Sequence, residues 1–328
     1  MFSARLQFPG FAAILPLALL SASMPAMASL IITPTFDTSF NTLSSSDKTN
    51  AENTINSVIS TYEADILNSI TVKITFSVNQ AVLGSTSFSV YQIPYSSYVS
   101  ALTSHAVSSD DFAAIANLPS NGTVDPVTGQ SSLDVKAPVI RALGIVNAGA
   151  NSGGTDATIS LGTNSMNLTR TGTQNPSLYD LQSVVSHEID EALGLGSSLG
   201  LGFQYLSPED LFRYTGTGGS GNPCGTVSGR SYTSSSTAKS CFSINGTTGL
   251  EQFNQNSSGD YGDWASNGTP QVQDAFGTPG AEPNLATELR ALDVIGYTTV
   301  QSAVPEPGTG VLITLALGLI GIRTRRSR

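Results

Sequence analysis

Two apolar runs stand at opposite ends of this chain, at residues 8–20 and 311–322, and both read as addresses, which confines the folded part to the stretch between them. The first follows Arg5 and leads into Ala26-Met27-Ala28, so residues 1–28 have the charged, apolar and small-residue regions of a secretory signal, with cleavage expected before Ser29. The second is preceded by Pro305-Glu306-Pro307 and followed by Arg323, Arg325, Arg326 and Arg328. It is shorter than the roughly 20 residues an ordinary spanning helix needs. The terminal arginines would still hold that end on the cytoplasmic side of a membrane until the tail is processed, so only a transient membrane association is expected.

What lies between has the composition of an exported protein. Only 12% of the residues are charged, and setting aside Arg5 and the four tail arginines takes the 14 basic residues to nine, against 24 acidic ones. So acidic a body is a poor partner for nucleic acid. Cys224 and Cys241 lie in a Gly/Ser/Thr-rich stretch, and in an oxidising compartment a disulfide between them is the default. No internal repeat or long linker divides residues 29–300, which are expected to form one domain in two lobes, 29–194 and 195–300.

Strand and helix patterns interleave in the first lobe. Strands are expected at 30–36, 70–78, 133–135 and 157–161, and helices at 47–67, 98–105, 110–118 and 140–143. The second lobe is turn-rich up to a last helix at 285–295, and the class is α+β. One helix is expected over 176–194, where Pro176, Ser177 and Asp180 supply start signals and Gly194 a stop. Leu178, Leu181, Val185, Ile189 and Ala192 would form its core face, with His187 and Glu191 opposite.

His187 and Glu191 stand four residues apart, so an imidazole nitrogen and a carboxylate oxygen project side by side and can hold one cation. Glu188 points about 100° further round, placed to take a proton from a water activated by that cation. Zinc accepts such mixed nitrogen and oxygen ligands. The bland reading is a solvated acidic helix face. Asp260 and Asp263, in Gly259-Asp260-Tyr261-Gly262-Asp263-Trp264, offer oxygens suited to a structural calcium ion, or simply make a turn.

Two resemblances sharpen these readings. The Pro-Glu-Pro triplet, short apolar stretch and basic end resemble the PEP-CTERM sorting signal (301–328), which implies that a sorting and processing enzyme removes the tail and the protein reaches the cell surface or extracellular matrix. His187-Glu188, with Gly194 beyond, resembles the His-Glu-x-x-His helix of the zincins and the glycine of their metzincin branch. Asp210-Leu211-Phe212-Arg213-Tyr214 and Asp293-Val294-Ile295-Gly296-Tyr297 are similar to segments of secreted bacterial relatives of that class. The resemblance implies a zincin-like domain with a mixed sheet and an active-site helix. It implies a zinc-dependent endopeptidase acting on protein or peptide substrates, with Glu188 catalytic. Two positions depart from the pattern: Glu191 stands where the second His belongs, and Ser197 where the third ligand belongs. With only His105 and His187 in the chain, a three-His site is impossible. Asp210 is then the expected third ligand, with Asp260, Asp263 and Glu209 in reserve and His105 a weaker option. Tyr205, Tyr214 and Tyr297 are candidate oxyanion donors. A non-catalytic matrix or adhesion protein on the same fold is the competing reading.

Overall fold

The computed structural model describes residues 29–119, 122–219 and 222–300; the two terminal addresses lie outside them. The chain runs through β1 (Ile31–Phe36), α1 (Ser45–Asp65), β2 (Thr71–Val78), β3 (Gly84–Phe88), β4 (Val90–Pro94), α2 (Tyr95–His105), α3 (Ser109–Ala116), β5 (Ser132–Lys136), α4 (Ala137–Ala142), β6 (Ala157–Leu161), β7 (Met166–Asn167), β8 (Tyr179–Asp180) and α5 (Leu181–Leu193). Beyond α5 come β9 (Arg213–Gly216), β10 (Val227–Arg230), β11 (Ser240–Phe242), β12 (Glu251–Gln252) and α6 (Thr287–Ile295). The class is α+β.

The main sheet is mixed, in the order β1-β2-β6-β3. β1 and β6 run parallel to β2, while β3 pairs antiparallel to β6 and forms an edge. Alternation in β2 buries Val72, Ile74 and Phe76. β3 reads Gly-Ser-Thr-Ser-Phe, with no apolar alternation to announce it. It is held by its register with β6, Gly84 opposite Leu161 and Phe88 opposite Ala157. α5 packs against β3 on one side and α1 on another. Tyr62 of α1 donates to Ser186 O of α5 at 2.8 Å.

α5 is shorter than its start signals imply. Asp180, not Ser177, is the N-cap: its carboxylate accepts from Ser183 N at 2.8 Å and pairs with Arg170 at 2.7 Å. Tyr179 and Asp180 pair as β8 with β7, so Leu178 lies before the helix and not on its core face. Gly194 ends α5 as expected, at φ 149°, where a Cβ would strike Val139 and Ile295.

Beyond α5 the chain forms a four-stranded sheet in the order β10-β9-β11-β12, antiparallel throughout. A disulfide joins Cys241 of β11, an inner strand of this sheet, to Cys224 in the loop before β10. Phe242, Phe253 and Trp264 pack together beneath it, with Phe253 and Trp264 ring centres 5.3 Å apart. That aromatic cluster carries the chain of residues 260–264 back to α5. Among the described residues no helix is long and apolar enough to cross a membrane, and the apolar runs at 8–20 and 311–322 lie outside them.

Candidate metal centre

α5 presents His187, Glu188 and Glu191 to a cleft of about 360 Å³. Its opposite wall is β3, and residues 260–283 close the remaining side. His187 Nε2 lies 3.7 Å from Glu191 Oε1 and 3.7 Å from Asp263 Oδ1. One ligand atom from each of the three falls within 4.8 Å of the others, and no further such group occurs among the described residues.

The histidine ring is held from one side. His187 Nδ1 lies 3.0 Å from Val272 O, and a carbonyl can only accept, so Nδ1 carries a hydrogen and Nε2 is the nitrogen that faces the carboxylates and is left to bind a cation. Gln273, fully buried, donates through Nε2 to Asp263 Oδ1 at 2.9 Å. Its backbone N donates to Glu288 Oε1 at 3.1 Å, and Trp264 Nε1 donates to the same oxygen at 3.2 Å. The third carboxylate is thus fixed from behind. One neutral imidazole nitrogen and two carboxylates make a donor set that suits zinc.

Without a cation the group is electrostatically tense. Burial pushes the His187 imidazolium down, but Asp263, Glu191 and Glu188 outweigh it and its pKa rises well above the usual value. Burial raises Asp263 well above the carboxylate range against the pull of His187. A divalent ion at the same place would satisfy both carboxylates and displace the imidazole proton.

Glu188 is separate from this trio. Its side chain is about 5% exposed and accepts from Thr86 Oγ1 of β3 at 2.6 Å. Burial, then Glu191, raise its pKa to about 8 against His187 and Thr86. A Cβ at Gly84 would run into Glu188 Oε1, so only glycine at that position of β3 leaves room for the carboxylate. A carboxylate that changes protonation near neutrality, at the rim of a cleft, suits proton transfer.

Asp210 does not join His187 and Glu191. Its carboxylate is fully buried and accepts from Ser197 Oγ at 2.5 Å, Ser198 N at 2.9 Å and Ser207 Oγ at 2.9 Å, with Arg213 Nε 4.0 Å away. Ser207 is the N-cap of a short helical turn, and Asp210 closes its capping box by accepting from Ser207 N. Ser197, at the metzincin ligand position, is one of its partners. Glu209 is also buried and accepts from Gly196 N. Asp260 lines the cleft, with Oδ1 accepting from Gly262 N at 2.8 Å. His105 is exposed, its Nδ1 2.9 Å from Ala101 O. Tyr205, Tyr214 and Tyr297 do not line the cleft, and Tyr297 donates to Leu193 O at 2.7 Å.

Thr86, Gly84, Val272 and Gln273 went unnoticed in the sequence. Gly84, Thr86 and Val272 carry no local signal because their partners on α5 lie about 85 to 105 residues away in the chain, while Gln273 acts on Asp263, ten residues before it, through a loop that no periodicity marks.

The buried acids give the metal-free protein a defined pH response. Glu188 and Glu209 both have pKa values near 8 in the fold, raised chiefly by burial from about 4.5. Between those values the folded state binds more protons than the unfolded one, so stability must fall as pH rises. The raised His187 acts in the same direction. The melting temperature of the metal-free mature protein is expected to drop by roughly 5 °C or more between pH 5 and pH 8.5. Saturating zinc should flatten the fall, and calorimetry across that range checks it.

The PEP-CTERM protein-sorting motif matches residues 303–328. No curated protein and no solved structure matches the chain. The sorting motif marks a protein exported across the inner membrane and placed at the surface or outside the cell after its tail is processed.

Proposed function

We propose that this exported protein is a zinc-dependent endopeptidase built on a zincin-like domain, with His187, Glu191 and Asp263 as metal ligands and Glu188 as general base. The observation that carries the reading is the convergence of those three donor groups within 4.8 Å beside a separate, buried carboxylate. A zinc ion there would supply Lewis acidity to a scissile carbonyl and acidify an attacking water.

The chain's own residues account for the other steps. β3 borders the cleft with its outer edge unpaired by any strand among the described residues, so an extended peptide can lie along it and use its backbone groups. Glu188 removes the proton from the attacking water and returns it to the departing amine. Thr86 holds Glu188 Oε2, leaving the other carboxylate oxygen to work toward the cleft. Val272 O keeps His187 in the tautomer that presents Nε2.

Two carboxylate ligands place more negative charge on the centre than a three-His site would. Lys136 offsets part of it: its ammonium donates to Glu191 O at 2.7 Å and Leu195 O at 2.6 Å, beneath the ligands.

Incubation of the mature domain with an unfolded protein substrate tests the proposal. Cleavage should disappear with a strong chelator and return with about one equivalent of zinc but not with calcium. Absence of cleavage by zinc-loaded protein on a broad peptide library would leave the non-catalytic surface protein as the better account.

A further inference from the structure

We infer that Arg213 is a positioning residue for the metal centre, holding in place the loop that delivers Asp263. The inference rests on the reading of His187, Glu191 and Asp263 as metal ligands, but the contacts that carry it are independent of any ion.

Arg213 is fully buried at the start of β9, with its guanidinium 4.0 Å over the ring of Phe253. Nη1 donates to Tyr261 O at 2.6 Å, two residues before Asp263. Its Nε and Nη2 find no hydrogen-bond partner among the described residues. Such a buried cation is costly, and a well-packed apolar residue of similar size would ordinarily serve stability as well or better. The bond to the Tyr261 carbonyl is what an apolar side chain could not supply.

The surroundings show what that bond secures. Asp210 and Glu209, just before Arg213, tie down the chain leaving α5 through Ser197, Ser198 and Gly196. The Asp263 loop is seated on that same chain, because a Cβ at Gly262 would collide with the backbone of Gly196 and Ser197. Asp263 O and Asp260 O accept from Asn254 at 2.7 and 2.8 Å. The loop is therefore clamped between the exit of α5, which carries two ligands, and Arg213. The Asp-Leu-Phe-Arg-Tyr segment thereby acquires a role: its acid anchors one part of the centre and its arginine the other.

The test is amide hydrogen exchange on the mature chain in metal-free buffer, comparing wild type, Arg213→Lys and Arg213→Met. Arg213→Met should speed exchange at residues 259–264 by roughly tenfold or more while α5 remains protected. Arg213→Lys, which keeps a donor, should retain most of the protection. If Arg213→Met unfolds globally because Asp210 loses its cation, the double variant Asp210→Asn/Arg213→Met removes both partners of that buried pair together and takes its place. Unchanged protection at 259–264 in the folded variant would overturn the inference. A parallel zinc titration separates the two readings. Loosening of the loop with no zinc bound even by wild type would sink the metal centre alone. Tight zinc binding with an unmoved loop would sink the role of Arg213 alone.

Discussion

Glu188→Gln is expected to lower kcat for peptide hydrolysis by about 10²- to 10⁴-fold, the usual contribution of a positioned general base. Zinc content and melting temperature should remain close to wild type. Gln has the shape of Glu and still accepts from Thr86 Oγ1, but it cannot take a proton. Because the change removes an interaction made in the transition state, kcat should fall with little change in KM. Gly84→Val should reach a similar loss by another route. Its side chain would occupy the space of Glu188 Oε1 and push the carboxylate from the cleft, with the three ligands untouched. Steady-state kinetics on zinc-loaded protein checks both, and a Glu188→Gln variant as active as wild type would remove the residue from the mechanism.

Asp263→Ala is expected to weaken zinc binding by more than about 100-fold, since removing a residue that merely orients a ligand already costs about 10- to 100-fold. Asp210→Ala should behave in the opposite way. The carboxylate it removes closes a capping box and faces Arg213, so the protein should lose about 3 kcal/mol or more of stability from the uncompensated cation. Its zinc affinity should be much less affected than its fold. Competition titration with a chromophoric chelator, beside denaturant melts, distinguishes the two aspartates. Equal loss of zinc in both variants, with Asp210→Ala fully folded, would contradict the assignment.

The two aspartates also show where the sequence was legible. The polar face of α5 could be read directly, because helical geometry dictates that residues 187 and 191 share a face, and Gly194 marks the stop. The alternation of β2 and the extent of β6 were equally plain. The third acidic group was not, because distance along the chain does not say where a carboxylate points. Asp210 returns near α5, yet three serines following or preceding turns engage its oxygens. Asp263 lies much further along but is delivered by a loop whose glycine permits close backbone contact with Gly196.

The start of α5 was misjudged for a similar reason. Pro176 and Ser177 carry the right residue types, but Arg170 and Ser183 converge on Asp180 and make it the cap. β3 escaped notice because an edge strand beside a cleft needs no apolar alternation. Its glycine and threonine are legible only once Glu188 stands opposite them.

The central claim is that His187, Glu191 and Asp263 hold a metal ion, and the most direct test is the metal content of the purified mature domain after dialysis against trace-metal-free buffer. The account predicts about one zinc per chain in wild type and in Glu188→Gln, and almost none in His187→Ala, Glu191→Ala or Asp263→Ala. Wild-type protein that is folded yet holds no zinc, even after reconstitution, would contradict it.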